Sequence, residues 1–363
     1  MHYDYFVRRN SLFEIYRGKK ILVTGHTGFK GAWLSTWLKE LGAEVTGCSL
    51  PALDGSMYSS DNFGHNVQEF FIDITDRNAI FDLIANSDEY DLVFHLAAQP
   101  IVLEAYSDPL ETFEINSVGA ANVVYAAINN PSCAGVVAAT TDKVYKPNRS
   151  TEGHFETDPL GGLDPYSASK SAAEMLLASL RISKERDDFS IVTVRAGNVI
   201  GGGDNANHRL IPDLVRGILS SSEIVIRNPD YIRPWMHVLD VLNGYLMVGT
   251  RILHSKRVSH SYNFGPNKND ELTVLELAEL VVSAWGSGKL KVLDEKSLRK
   301  KEDSVLRLNS NLAKDELSWS PNFDSKEAVY STIDWWKSTK SFRSPLDATL
   351  DDIQKFTINV KTV

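Results

Sequence analysis

Two stretches hold side chains able to move protons: Thr140-Thr141-Asp142-Lys143-Val144-Tyr145, at the end of an apolar run, and Asp164-Pro165-Tyr166-Ser167-Ala168-Ser169-Lys170. Tyr166 and Lys170 stand at i and i+4, so a helix over 166–180 puts both on one face. A phenol beside a fixed cation gives up its proton more readily than its reference pKa of about 10 implies, and a phenolate so placed accepts the proton of a hydroxyl. Thr141 is suited to hold that hydroxyl. Asp142 and Lys143 add an acid and a base that oxidation or epimerisation of a carbinol does not require, and together they point to elimination.

The cofactor that such a device needs is indicated upstream. Lys20–Thr24 reads as a buried strand, and Gly25-His26-Thr27-Gly28-Phe29-Lys30-Gly31 follows at once, opening an amphipathic run over 32–41. Gly25 permits the tight turn, Gly28 lets backbone approach a pyrophosphate, Gly31 lets the helix pack on the strand, and the helix N-terminus favours the anion. This strand-turn-helix context marks a dinucleotide site, with Gly25, Thr27, Gly28, Phe29 and Gly31 assigned to the cofactor. His26 and Lys30 either touch a phosphate or face solvent, and solvent is the expected place of His26. A second strand over 44–50 would ordinarily end in an acid for the adenosine ribose. Here it ends Cys48-Ser49-Leu50-Pro51, with Asp54 only later and no arginine for a 2′-phosphate, so NAD is preferred to NADP. Phe70-Phe71-Ile72-Asp73-Ile74 reads as a third strand, with Asp73 and Ile74 where the adenine ring would lie. Small Ala97 and Ala98, after Leu96, let the end of a strand over 91–98 approach the cofactor, and Gln99 opens a loop.

The alternation continues with helices over 76–85, 110–129 and 166–180 and strands over 135–140 and 190–195. Repeated strand-helix units imply an α/β fold, a doubly wound parallel sheet of Rossmann type with helices on both faces. Beyond Gly197 the pattern shortens into a glycine loop, Gly201-Gly202-Gly203-Asp204, and helices near 211–219, 274–285 and 326–336. The expected division is a dinucleotide-binding domain over 19–197, rejoined by 233–264. Segments 198–232 and 265–340 make a smaller α+β substrate-binding lobe over the carboxyl ends of the strands, and 341–363 is a C-terminal tail.

Composition narrows the partners. With 363 residues, 43% apolar and 23% charged, the chain can bury a full core without staples. A formal charge of −9 without a basic block argues against nucleic acid. Asp4, Arg8, Arg9 and Glu14 interrupt the stretch where a secretion signal needs an apolar core, and no run approaches the roughly 20 apolar residues of a membrane span. Cys48 and Cys133 have neither metal-ligand nor disulfide-framework spacing. The expectation is a cytoplasmic protein with two core thiols, no metal site and no nucleic-acid or membrane partner.

GHTGFKG at 25–31, HLAAQP at 95–100, Thr141-Asp142-Lys143, GGLDPYSASK at 161–170, RAGNVIGGGD at 195–204, RLIPD at 209–213, RNPDYIRPWMHV at 227–238 and Asn263-Phe264-Gly265-Pro266 together resemble the extended short-chain dehydrogenase/reductases. Within them the chain resembles the CDP-glucose 4,6-dehydratase family. The blocks span most of residues 19–340. The glycine turn and the Tyr-Lys pair mark the superfamily, whereas TDK with RAGNVIGGGD and the IRPW block is more selective.

The resemblance implies a redox cycle closed within one site on a nucleotide-sugar substrate. Tyr166 takes the C4 hydroxyl proton as C4 passes hydride to NAD, Lys143 assists loss of the C5 proton, Asp142 protonates the departing C6 hydroxyl, and hydride returns to C6. Lys143, at a position where relatives acting on dTDP-glucose carry Glu, acts either as a neutral base or as a charged stabiliser of the enolate. The resemblance also implies that Asn116 supports the proton relay of Tyr166 and Lys170. Gln99, Asn198, Arg209, Leu210, Arg233 and His237 are implied at the substrate, and the helices over 110–129 and 166–180 would pair in a homodimer or higher homo-oligomer. Relatives usually carry Trp and Gln where this chain has Asn205 and Met236. Two other readings stay open: the same elimination on a GDP-linked hexose or heptose, and 4-epimerisation, which uses Thr141, Tyr166 and Lys170 but neither Asp142 nor Lys143.

Overall fold

Short apolar runs set the sheet. Strands β1 (Lys20–Thr24), β2 (Glu44–Ser49), β3 (Gln68–Phe71), β4 (Leu92–His95), β5 (Gly135–Ala139) and β6 (Ser190–Ala196) are followed by the small β7 (Val199–Ile200), β8 (Glu223–Ile226), β9 (Ile232–Arg233) and β10 (Met236–His237) and then by β11 (Ser261–Phe264), which rejoins the sheet. In this computed structural model, which describes residues 11–59, 63–64, 67–87, 90–147, 152–184, 186–293, 305–341 and 343–359, the seven strands lie in the order β3-β2-β1-β4-β5-β6-β11, every pair parallel. The central strands β4 and β5 are buried along their whole length, as a parallel sheet covered on both faces requires. The edge strand β3 is mostly exposed, and its Gln68 and Glu69 are polar. Chain order reverses between β1 and β4, so a crevice opens at their carboxyl ends.

Outside this sheet, β8 pairs in parallel with β13 (Lys289–Val292), β10 with β7, and β9 runs antiparallel to β12 (Leu272–Thr273). The helices Leu210–Leu219 and Val274–Trp285 pack together beside them. Among the described residues no helix is long and apolar enough to cross a membrane. Both cysteines are free and buried.

Three elements differ from the sequence reading. The helix expected over 110–129 is broken into Pro109–Phe113, a wide π turn at Glu114–Gly119, and Ala120–Ile128. The wide turn swings Asn116 inward, where its side chain takes the Gln99 N–H at 2.9 Å and donates to the Gln99 carbonyl and the Ser169 hydroxyl at 3.0 Å each; such bulges concentrate at functional positions. The helix Phe29–Glu40 is not amphipathic: residues 31–38 are all buried, which means it is covered on every side. Its cover is the third difference. The segment expected as a C-terminal tail folds as the helix Pro345–Asn359, burying Ala348, Ile353 and Phe356. The Phe356 ring meets Trp37 edge-on at 5.5 Å, and Trp335 Nε1 donates to Thr349 Oγ1 at 3.1 Å. Interlocked aromatic burial of this kind is worth about 3–5 kcal/mol per large side chain lost, enough to hold a mostly polar helix in place.

Candidate active site

The glycine turn after β1 is built so that nothing larger fits. Gly25 has φ 74°, and a Cβ there would stand 2.7 Å from the Ala97 nitrogen; a Cβ on Gly31 would stand 2.0 Å from the Gly25 carbonyl oxygen. Gly28 caps the following helix without any side-chain hydrogen bond. The first N–H groups of the helix are thus left for a ligand, and their partial positive charge suits a diphosphate. The cradle fits a dinucleotide. At its ribose end Thr27 Oγ1 lies 2.7 Å from Ser49 Oγ and donates to the Leu50 carbonyl at 3.0 Å, so hydroxyls stand where an acid was sought. Leu96 and Ala97 donate their N–H groups to Thr24 Oγ1. Ala98 follows them and is half-buried. Ile74 is buried against the bare Cα of Gly119, and Asp73 is exposed with Oδ1 accepting from Thr75.

His26 faces neither phosphate nor solvent. Its ring fills the space that a Cβ on Gly47 would need and pairs with Glu69 at 3.0 Å; burial depresses its pKa more than Glu69 raises it. Lys30 instead enters the crevice. Burial and then the nearby Arg209 pull its pKa down to about 8, against the attraction of Asp142 and Asp204.

The strand β5 delivers Thr140 and Thr141 to the same crevice. Thr141 starts a short 3-10 turn, Asp142–Val144, and donates its hydroxyl to Asp142 Oδ1 at 2.9 Å. Asp142 is only 3% exposed, and its Oδ2 has no hydrogen-bond partner among the described residues. Burial raises its pKa, in spite of Lys143, the Thr141 hydrogen bond and Arg233. A carboxyl so held takes up a proton more readily than a solvated one and has one oxygen to offer.

Tyr166 and Lys170 project from the helix Pro165–Ser183, whose start is fixed by Asp164 accepting the Ser167 N–H and by Pro165 in the first turn. The Tyr166 hydroxyl is hydrogen-bonded with Thr141, and Lys143 and Arg209 also favour its ionisation, yet burial outweighs all three and raises its pKa. In the protein alone, without the second positive charge that an oxidised nicotinamide would add, the phenol is held neutral. Lys170 is 4% exposed with Nζ donating to the Ala139 carbonyl at 3.3 Å. Burial, then Lys30, lower its pKa to about 7, and Glu174 opposes them.

The expected substrate residues divide. Arg209 Nη1 pairs with Asp204 at 3.0 Å and is close enough to act on Tyr166 and Lys30. Arg233 lies over the Tyr231 ring, donates to the Ile232 carbonyl and acts on Asp142. Asn198 is half-buried, its carbonyl accepting the Met236 N–H at 3.0 Å, and Leu210 packs against the main core. Gln99 is absorbed locally, its amide bridging Thr112 and the Ile101 N–H. His237 is a correction. It sits between Trp33 and Phe323 at 1% exposure, with Nδ1 accepting the Leu239 N–H, which is a core position rather than a substrate-facing one. Sequence reasoning missed Asp204 as the partner of Arg209, and Glu174, although 166, 170 and 174 repeat one helical face.

The sequence profile described as the NAD dependent epimerase/dehydratase family matches residues 21–265. The chain belongs to that family. This epimerase/dehydratase is 37% identical, over 90% of its length and 92% of the relative's, to CDP-glucose 4,6-dehydratase of Salmonella typhimurium. It is 28% identical to dTDP-glucose 4,6-dehydratase of Streptomyces antibioticus, over 90% of the chain and 95% of that protein. The crystal structure of DesIV, a dTDP-glucose 4,6-dehydratase from Streptomyces venezuelae with NAD and TYD bound, superposes with a TM-score of 0.77 at 21% identity, covering 90% of this chain and 99% of that one. At that identity the superposition speaks for the fold.

Proposed function

We propose that this epimerase/dehydratase is a lyase that removes water from CDP-glucose to give CDP-4-keto-6-deoxyglucose. The observation that carries the reading is the turn in which Asp142, buried and protonation-prone with a free Oδ2, is joined through Thr141 to the Tyr166 hydroxyl. The Salmonella typhimurium relative supports the choice of substrate.

Gly25, Thr27, Gly28, Phe29 and Gly31 would hold the NAD phosphates, Asp73 and Ile74 its adenine, and Leu96, Ala97 and Ala98 its other end, with Asn116 supporting the proton relay of Tyr166 and Lys170. Once bound, NAD accepts hydride from sugar C4 and returns it to C6. Tyr166 Oη takes the C4 hydroxyl proton while Thr141 orients that hydroxyl, and the positive charge of Lys170 stabilises the phenolate that results. The C4 ketone acidifies the C5 proton, whose loss Lys143 assists. Asp142 gives its proton to the C6 hydroxyl, which leaves as water. A proton returned to C5 completes the product, so one water is lost in total and no outside oxidant is consumed. Arg209, Arg233 and Asn198 are assigned to the diphosphate and ribose of the substrate, guanidinium groups being suited to phosphate, and Leu210 and Gln99 to the substrate side of the crevice.

In this reading residues 19–197 and 233–264 form the dinucleotide-binding part, and 198–232 with 265–340 the nucleotide-sugar lobe. Exposed Leu110, Val118 and Tyr125 together with Met175 and Ile182 support pairing of two copies through these helices. The two buried thiols fit a reducing compartment, the cytoplasm. Incubation with CDP-, dTDP-, UDP- and GDP-hexoses, read by mass, tests the assignment: loss of one water from CDP-glucose first among them is expected. Unchanged mass with inverted C4 would make it an epimerase, and no change in any sugar would overturn the reading.

A further inference from the structure

Beneath the proton-moving groups lies a buried polar network that the chemistry above does not use. Glu174, 2% exposed, is one helical turn beyond Lys170. Its carboxylate takes both arms of Arg195, Nε and Nη2, at 2.8 Å each, and the hydroxyls of Thr140 at 2.7 Å and Thr193 at 2.8 Å. With four donors satisfied and a bidentate guanidinium, this carboxylate stays ionised, its pKa held down by Arg195 and the threonines against burial. Arg195 has a further arm. Nη1 donates to the Tyr145 hydroxyl at 2.8 Å and to the Glu156 carbonyl at 3.0 Å. Tyr145 donates in turn to Asn263 Oδ1 at 2.6 Å, and its ring is stacked on His154 at 4.6 Å and 3°. The network therefore spans the Tyr166 helix, Thr140 directly after β5, and the strands β6 and β11.

Tyr145 is the residue directly after the Asp142–Val144 turn, so its ring is the anchor of that turn. The turn is gripped a second time one residue earlier. The Val144 carbonyl accepts from Ser171 Oγ at 2.8 Å and from the Gly161 N–H at 2.9 Å, and Ser171 lies on the same helix as Tyr166 and Lys170. Tyr166 and Lys170, which act at C4, thus stand on the helix, and Asp142 and Lys143, which act at C6 and C5, stand on a turn headed by Thr141 and tied to that helix through two separate bridges.

We propose that Tyr145, Arg195 and Glu174 form a buried clamp that positions Asp142 and Lys143 for elimination against the fixed Tyr166 and Lys170. They are positioning residues: all three are buried and their polar side-chain atoms are taken up within the network. The inference rests on the 4,6-dehydratase reading and goes one step further, because it assigns the clamp to the second half of the reaction. A misplacement of about 1 Å in a group that must meet a reacting atom costs on the order of a hundredfold, and Tyr145, which directly follows the turn, is the clamp residue nearest Asp142 and Lys143 in the chain.

Tyr145→Phe removes a single hydroxyl and keeps the ring on His154. The expected result is a folded protein with a melting temperature close to the parent's, in which water loss slows about tenfold or more while C4 oxidation persists. The 4-keto hexose then builds up to one equivalent per bound cofactor and is trapped, after quenching, by borohydride as a pair of C4 epimers. Arg195→Lys, which keeps a charge on Glu174 but cannot also span to Tyr145, gives the same signature and serves if Tyr145→Phe does not fold. Parental rates of water loss in a folded variant, or slowing of oxidation and elimination in equal proportion, would overturn the clamp. A parent protein that dehydrates no nucleotide sugar would overturn the functional reading instead, so the two failures are distinguishable.

Discussion

Lys170→Met should stabilise the cofactor-free protein while destroying its activity, and the stabilisation should fade as pH rises. Lys170 is almost fully buried, and its pKa falls from 10.5 in the unfolded reference to about 7 in the fold. Below pH 7 both states carry the proton, so the fold bears the whole cost of a buried ammonium. Each tenfold change in proton affinity is about 1.4 kcal/mol, so the cost is about 5 kcal/mol at pH 6. Between pH 7 and 10.5 the folded chain releases this proton while the unfolded chain keeps it, so stability contributed by the group rises with pH. By pH 9 the cost falls to about 2 kcal/mol. Methionine has a similar length and no charge. Urea unfolding of the parent and the variant at pH 6 and pH 9 should give a gap in the variant's favour that narrows by about 3 kcal/mol. A variant less stable than the parent at pH 6, or a gap indifferent to pH, would refute the idea that Lys170 is an ammonium held at a cost for the sake of Tyr166.

Other consequences are simpler to read. Tyr166→Phe should lower turnover by about 10²- to 10⁴-fold and leave NAD binding, followed by calorimetry, near parental, since the ring stays and only the proton acceptor goes. Gly31→Ala should abolish dinucleotide binding, because its methyl carbon would stand 2.0 Å from the Gly25 carbonyl oxygen; binding within about tenfold of the parent would contradict the cradle. Ile182→Lys combined with Leu110→Lys, at two of the most exposed apolar positions, should convert an associated form to monomer in sedimentation velocity without lowering the melting temperature of the monomer.

Much of the fold was legible because its signals are local. The helix over 274–285 has the bounds read from sequence, since Thr273 and Glu276 close a capping box and Gly286 takes φ 91°. The central strands declared themselves as unbroken apolar runs. What was not legible depends on partners far away. The π turn exists because Asn116 finds Gln99 and Ser169, and no periodicity announces that. His26 is buried because Gly47 lacks a side chain and Glu69 lies beside it. His237 belongs to the core because Trp33 and Phe323 close around it. At the candidate site the residue types and the helical face of Tyr166 and Lys170 could be read directly. The sign of the Tyr166 pKa could not, because it is set by burial, which a linear sequence does not display.

The helix Pro345–Asn359 has a consequence for how the molecule comes into being. It covers Trp37 of the first helix after the glycine turn, and its Thr349 holds Trp335, whose indole occupies the space that a Cβ on Gly202 would need. A ribosome making this chain emits the dinucleotide cradle early, but the cover for that cradle's own helix comes roughly 300 residues later, a separation that loop closure makes slow. Until then a tryptophan face stays open to water and to other nascent chains. Assembly of the cofactor site is therefore expected to finish with residues 345–359, and chaperone dependence during synthesis should be read from that interval.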